Sequence, residues 1–246
     1  MKFETVRDQL ENVPYMGVDE GWELYKFIIK NKPKTILELG HAHGASSIFM
    51  AAALDELGVG VIETVDLKAA GVRSPNLEAL AAELGLKSHI KISREINSYT
   101  WFLKKKIEEQ TKENFCNPIY DFCFVDGPKN WTIDGFAFFL TNKLLRENGW
   151  ILFDDYKWTH SKHVGRESTD GITIRSLGED EINQAHIELI FKLLVVQCEE
   201  YSNFVVQDNW WAWAQKTRTG SRKVRYTKKA SKTVGEVLLQ TEGATE

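Results

Sequence analysis

Apolar positions along this chain come in two rhythms, short continuous runs and longer stretches at helical spacing, and the two alternate. The segments Thr35–Leu39, Val61–Val65, His89–Ser93, Ile119–Val125 and Trp150–Phe153 have strand length, and the continuous apolar runs of Ile119–Val125 and Trp150–Phe153 suit strands covered on both faces. Between them the spacing predicts helices. One or two lie over residues 3–31, broken near Pro14-Tyr15-Met16-Gly17, with Trp22, Tyr25, Ile28 and Ile29 as a core-facing stripe. Others start near Ala45, at Ser74-Pro75 as cap and first-turn proline, at Asn97 or Ser98, and over Trp131–Arg146. Glu179 to about Val196 reads as one amphipathic helix, and Tyr201–Gln207 with Trp210–Lys216 flank Asp208-Asn209 as a closing antiparallel hairpin.

Strand, helix, strand over Ile119–Phe153 is a right-handed crossover, so both strands end at one edge of a sheet. The first stops at Asp126 and the second at Asp154-Asp155, which brings three carboxylates to the edge where open α/β sheets bind ligands. Crowded carboxylates call for a shared proton, a basic partner or a divalent cation, and oxygen donors match the preference of Mg²⁺. The other reading is plainer: Asp126 caps the helix that follows it, and Asp154 and Asp155 end a strand in solvent.

A second ligand edge follows Thr35–Leu39. The segment Glu38-Leu39-Gly40-His41-Ala42-His43-Gly44-Ala45-Ser46 is a strand, a glycine-bearing turn and a helix start, which lets a ligand approach the backbone. Glycine stands only at 40 and 44, so the three-glycine dinucleotide pattern is absent, and Glu38 disfavours a pyrophosphate while suiting a cationic ligand. Asp66 closes Val61–Val65 and is placed to accept hydrogen bonds from a ribose.

Composition changes this picture little. The chain has 246 residues with a formal charge of -4, enough for one domain with a proper core and too mild to argue for nucleic acid or a membrane surface. No apolar run reaches transmembrane length, and Met1–Val13 is charged rather than signal-like, so a cytoplasmic protein is expected. Three cysteines without a Cys-x-x-Cys pair signal neither a disulfide framework nor a zinc site, and Cys123 reads as core. Trp150, Trp210, Trp211 and Trp213 read as core fillers as well. Lys104-Lys105-Lys106 reads as a solvated helix face, while His160 and His163, in the irregular stretch after Asp155, are weak candidates to extend a metal site. From Thr217 to Glu246 the composition turns polar and basic, so the domain is expected over residues 1–216 and a flexible tail over 217–246.

Together, Glu38-x-Gly40-x-x-x-Gly44 with Ser46, Phe124-Val125-Asp126-Gly127-Pro128-Lys129 and Phe153-Asp154-Asp155-Tyr156 resemble the class I S-adenosylmethionine-dependent methyltransferases. Within that class the chain is similar to the cation-dependent O-methyltransferases of the catechol and caffeoyl-CoA type and to the "methyltransferase domain 24" group, over about residues 14–216. The resemblance implies a Rossmann-like α/β fold with a mostly parallel seven-stranded sheet and a C-terminal antiparallel hairpin. It implies Asp126, Asp154 and Asp155 as ligands of Mg²⁺ or another divalent cation, and Lys129 as the base. Glu38, Gly40, Gly44 and Ser46 then hold the methionine part of S-adenosylmethionine, Asp66 its ribose, and Ser93 with Arg94 the adenine side, with Met16 covering the cofactor.

Two departures keep the substrate open: Asp155 replaces the Asn of the catechol type, and Lys129 stands where the sugar-modifying group often has His. The implied reaction is metal-assisted O-methylation of a small hydroxylated molecule, an aromatic diol or a sugar, by an enzyme that is often a homodimer. Lys129 can accept a proton only if its own charge is disfavoured beside the metal. A metal-independent methyltransferase and a non-catalytic S-adenosylmethionine-binding protein are the alternatives.

Overall fold

The computed structural model describes residues 1–163 and 177–220. Five strands pair in parallel: β1 (Thr35–Leu39), β2 (Val61–Leu67), β3 (Ile90–Glu95), β6 (Tyr120–Val125) and β7 (Leu145–Phe153). A small hairpin of β4 (Thr111–Lys112) and β5 (Phe115–Cys116) stands apart from them. The hairpin β8 (Tyr201–Gln207) and β9 (Trp211–Lys216) joins antiparallel, giving the order β3-β2-β1-β6-β7-β9-β8. The order reverses between β1 and β6, which opens a crevice at the carboxyl ends of those strands.

Side chains alternate along each strand and so build two cores. Ile36, Phe122, Phe124, Leu152 and Trp211 face α1 (Phe3–Leu10), α2 (Val18–Asn31), α3 (Ala45–Leu57) and α4 (Leu77–Glu83). Leu37, Leu39, Cys123, Val125, Ile151 and Phe153 face α5 (Tyr99–Gln110), α6 (Trp131–Leu144) and α8 (His186–Ile190). Because both faces are covered, the parallel strands could be continuous apolar runs. α3 is buried on every side from Ala45 to Leu54, packed among α1, α2, α4 and the sheet, so it is a rigid base for the loop that precedes it. Truncating a ring such as Phe122, fully buried between sheet and helices, costs about 3–5 kcal/mol.

Several expected boundaries move. α4 is capped by Asn76, whose Oδ1 accepts from the Ala79 N–H at 2.9 Å, so Ser74-Pro75 precedes the helix instead of opening it. Asn satisfies the orphan N–H groups of a first turn as well as Ser does. α6 stops at Leu144, and β7 runs on from Leu145 through a bulge at Asn148, which has positive φ, before pairing Phe122 with Trp150. The helix expected over Glu179–Val196 breaks into α7 (Glu179–Ile182) and α8, which widens over Phe191–Val195. At the break His186 Nε2 donates to the Glu181 carbonyl at 2.8 Å, closing the chain back on itself.

The stripe of α2 is Gly21, Leu24, Tyr25 and Ile28, with Trp22 at its rim against Phe3 and Tyr25. Lys104, Lys105 and Lys106 pair with Glu108, Glu95 and Glu63 respectively. No helix among the described residues is long and apolar enough to cross a membrane. Past Lys216, the Thr217 N–H donates to the Glu200 carbonyl at 2.9 Å, so hairpin contacts continue just beyond the expected boundary. Residues 221–246 of the expected tail lie outside the described residues, as does the side chain of His163.

Candidate active site

Glu38, at the end of β1, is fully buried. Its carboxylate accepts from Ser46 Oγ at 2.6 Å and from Ser47 Oγ, so the first turn of α3 holds both oxygens. Burial pushes the Glu38 carboxyl up to about 7, although the two serine hydroxyls favour its charged form. Gly40 follows at φ +89°, and a Cβ there would overlap the Asp126 carbonyl. Only glycine lets the loop lie directly against the strand that ends in the first acid. Gly44 caps α3 at φ +99°, pressed against Leu77.

Asp66 closes the other side of this loop, its Oδ2 accepting from the N–H groups of His41 and Ala42 at 2.9 and 2.7 Å. Its carboxylate thus braces the loop that the sequence assigned to the cofactor. Ser93 and Arg94 lie one strand over, opposite Val65 and Asp66. Arg94 is held by Glu78, its Nη2 donating to both carboxylate oxygens at 2.8 and 2.9 Å, and its Nη1 donates to His41 Nε2. His41 Nδ1 in turn meets Thr64 Oγ1 at 2.8 Å, and burial lowers the His41 imidazole to about 4, leaving it neutral. Met16 is buried in the core, and its neighbour Tyr15 stacks on His43 at 5.7 Å, which lays the N-terminal segment on the same loop.

The three acids do converge: oxygens of Asp126, Asp154 and Asp155 lie within 4.8 Å of one another. Lys129 is buried among them, in contact with Asp126 and with its Nζ 3.4 Å from Asp155 and 3.7 Å from Asp154. Burial opposes the lysine's charge, but the carboxylates of Asp126, Asp155 and Asp154 outweigh it and hold Lys129 firmly as an ammonium. Burial likewise raises Asp126 and Asp154, and neighbouring carboxylates add to it. Fully ionised, three carboxylates against one ammonium leave two negative charges to offset, which is why burial and mutual repulsion raise Asp126 and Asp154. A hard divalent cation fits both that charge and the all-oxygen donor set.

The turn carrying Lys129 is clamped from three sides, and Lys129 itself sits at φ 61°. Asp134, on the first turn of α6, accepts from the Tyr99 hydroxyl and from the Asn130 N–H at 2.6 Å. Asn130 reciprocates as the helix cap, its Oδ1 accepting from Thr132 and Ile133 at 2.9 and 3.0 Å. His160 Nε2 donates to the Lys129 carbonyl at 3.1 Å, and His186 Nδ1 accepts from the Trp131 N–H at 3.0 Å. His160 therefore holds the turn and does not join the acids. On the far side, Trp211 Nε1 donates to Asp154 Oδ1 at 2.7 Å.

Residues 37–156 match the family model of a methyltransferase domain. The chain has the Rossmann-like fold of methyltransferases. Among solved structures it is similar to the O-methyltransferase TomG of Streptomyces achromogenes, involved in tomaymycin synthesis and bound to S-adenosylmethionine. That pair has 15% identity over 88% of this chain and 89% of that one, with a TM-score of 0.59. It is also similar to a Bacillus cereus O-methyltransferase bound to S-adenosylhomocysteine, at 16% identity over 88% and 100% with a TM-score of 0.57. A Podospora anserina methyltransferase bound to S-adenosylhomocysteine is a third, at 15% identity over 88% and 86% with a TM-score of 0.57. At these identities the likeness shows the fold. No curated protein matches the chain.

The site also uses residues that no site motif in the sequence marks: Ser47, Tyr99, Asn130, Asp134, His186 and Trp211. Asn130 and Asp134 had a readable signal, a cap residue followed four positions on by an acid at a helix start. Tyr99, His186 and Trp211 had none, because each reaches its partner from a distant segment.

Proposed function

We propose that this protein transfers a methyl group from S-adenosylmethionine to a hydroxyl oxygen of a small molecule, with a divalent cation held by Asp126, Asp154 and Asp155. The observation that carries the reading is the trio of carboxylates, two charges in excess when fully ionised, lying against the Glu38–Gly44 loop through the Gly40–Asp126 contact. When bound, S-adenosylmethionine supplies an electrophilic methyl carbon and the cation supplies Lewis acidity toward the acceptor hydroxyl.

Glu38, Gly40, Gly44 and Ser46 line the methionine end, and Glu38 gains a reason to ionise when a cationic amino acid moiety lies beside it. Asp66 serves the ribose, and Ser93 and Arg94 lie on the adenine side. Methyl transfer is an in-line displacement: the acceptor oxygen forms the new bond, the carbon–sulfur bond breaks, and its electron pair stays on sulfur. The proton of the hydroxyl would go to the Lys129 amine, which can take it only once the three carboxylates are otherwise neutralised and the ammonium has released its own proton to solvent. The clamp of Asp134, Asn130 and His160 keeps the Lys129 amine in place for that step.

A second reading has a specific observation behind it. Lys129 already lies among all three acids as an ammonium, an arrangement that suits transfer without a metal, the lysine then acting as a fixed charge.

The test is transfer of labelled methyl from S-adenosylmethionine to a panel of aromatic diols and sugars, with Mg²⁺ or with EDTA, by the wild type and Asp154→Asn. We expect methylation that is lost on chelation and in the variant. Undiminished transfer in EDTA would overturn the cation and favour the second reading. No transfer to any acceptor, together with no cofactor binding, would overturn both.

A further inference from the structure

An amino acid moiety brings two opposite charges to the Glu38–Gly44 loop, and Glu38 answers only one of them. It suits the ammonium and repels the carboxylate, and the Ser46 and Ser47 hydroxyls that face it are already engaged by it. Two cations beside the crevice are matched as well. Lys129 lies among the three aspartates, and Arg94 donates to both oxygens of Glu78.

Arg73 is different, because it makes no ion pair among the described residues and its contacts are to rings. It follows the short 3-10 turn Lys68–Val72 that leaves β2 after Asp66. Its Nη1 lies 3.5 Å from His43 Nε2, the ring nitrogen left facing it because His43 Nδ1 donates to the Pro75 carbonyl at 2.7 Å. Its guanidinium carbon lies 5.5 Å from the centre of the Tyr15 ring, the same ring that stacks on His43. The N-terminal segment, the cofactor loop and the chain after Asp66 therefore meet at one guanidinium. Contact through His43, one residue ahead of Gly44, sets it at the methionine end of the loop, while Arg94 stands opposite Asp66.

Arg73 Nε is buried without a hydrogen-bond partner. Arg94 Nε is orphaned too, but the charge of that guanidinium is met by Glu78. A buried charged donor without an acceptor is costly, and the planar fork of a guanidinium matches the two oxygens of a carboxylate. Tyr15, the ring over Arg73, is 48% exposed, so the guanidinium lies one surface side chain away from solvent.

Resting on the methyltransferase reading, we infer that Arg73 receives the α-carboxylate of S-adenosylmethionine. Glu38 and Arg73 then divide the zwitterion between them, one taking the ammonium and the other the carboxylate. Tyr15 and His43 hold the guanidinium for that contact.

The test is calorimetric titration of the full chain in EDTA with three probes. They are S-adenosylhomocysteine, its decarboxylated analogue S-adenosylthiopropylamine, which keeps the amine, and methylthioadenosine, which has neither group. We expect the wild type to bind S-adenosylhomocysteine about tenfold tighter than the decarboxylated analogue, which is about 1.4 kcal/mol. Arg73→Gln and Arg73→Met are expected to bind those two alike, with wild-type affinity for the decarboxylated analogue and for methylthioadenosine. Arg73→Lys is expected to keep part of the preference, since it keeps the charge and loses the fork.

No preference in the wild type overturns the inference whatever the variants do. A preference that survives in Arg73→Gln and Arg73→Met overturns it too, as does an equal loss of all three probes in both, since Arg73 then only supports the loop. Failure of every probe to bind the wild type sinks the methyltransferase reading itself. Binding without a carboxylate preference sinks only this inference.

Discussion

Replacing Glu38 by Gln isolates the most deeply buried charge of the cofactor loop. The carboxyl stands at about 7 in the folded protein against 4.5 ordinarily, because burial disfavours its ionised form. Between those values the folded chain holds a proton that the unfolded chain has released. Its contribution to stability is therefore fully present below about pH 4.5 and is lost as pH rises through about 7. That gap corresponds to about 3 kcal/mol, and the Glu38→Gln variant has no such slope because its amide does not titrate.

Urea unfolding followed by circular dichroism, without cofactor and in EDTA, is run on both proteins between about pH 5 and pH 8. Asp126 and Asp154 also carry raised values, but they are common to both chains and cancel in the difference. We expect the wild type to lose about 2–3 kcal/mol relative to Glu38→Gln across that range. We also expect S-adenosylmethionine to bind the wild type more tightly as pH rises from about 6 to 8, because Glu38 must ionise beside the ligand's positive charge. A pH-independent difference, flat to within about 0.5 kcal/mol, would refute the reasoning that Glu38 is held partly protonated by burial.

Gly127→Ala is expected to destabilise the fold by about 3 kcal/mol or more, read by urea unfolding, because a Cβ there overlaps the Tyr99 hydroxyl and Asp134. Trp211→Phe removes one N–H from a buried carboxylate and is expected to cost about 1–3 kcal/mol by the same assay while sparing cofactor binding. Lys129→Met leaves three acids without their ammonium. We expect a lower melting temperature in EDTA, a larger stabilisation by Mg²⁺ than in the wild type, and a turnover reduced about 100-fold or more.

What the sequence disclosed follows from what each signal depends on. An apolar run ends where its chain leaves the core, so Asp66, Asp126 and Asp154 could be assigned to strand ends from the run alone. The direction of the crossover then made Asp126 and Asp154 neighbours without further information. Gly40 was readable as a ligand-loop glycine, although the close neighbour is the Asp126 carbonyl, which no local pattern shows.

Contacts made across the fold left no trace. Tyr99 and Asp134 are 35 positions apart, and Trp211 and Asp154 are 57, so nothing in either neighbourhood marks the pair. Trp210 and Trp211 are adjacent and look alike in sequence. Both are expected in the core, yet Trp210 is half exposed on the turn between β8 and β9 while Trp211 is buried against Asp154, a difference set by the strand edge between them. The break between α7 and α8 was hidden because amphipathic spacing continues across it, while His186 turns inward to hold Trp131.

The most direct measurement is a calorimetric titration of S-adenosylhomocysteine into the full chain, repeated with Gly40→Val. Valine forces the loop off the Asp126 carbonyl at a backbone angle that β-branched residues do not adopt. One site per chain in the wild type, lost in a variant that stays folded, is the expected result. No binding to the wild type, or equal binding to both, would contradict a cofactor seated on the Glu38–Gly44 loop.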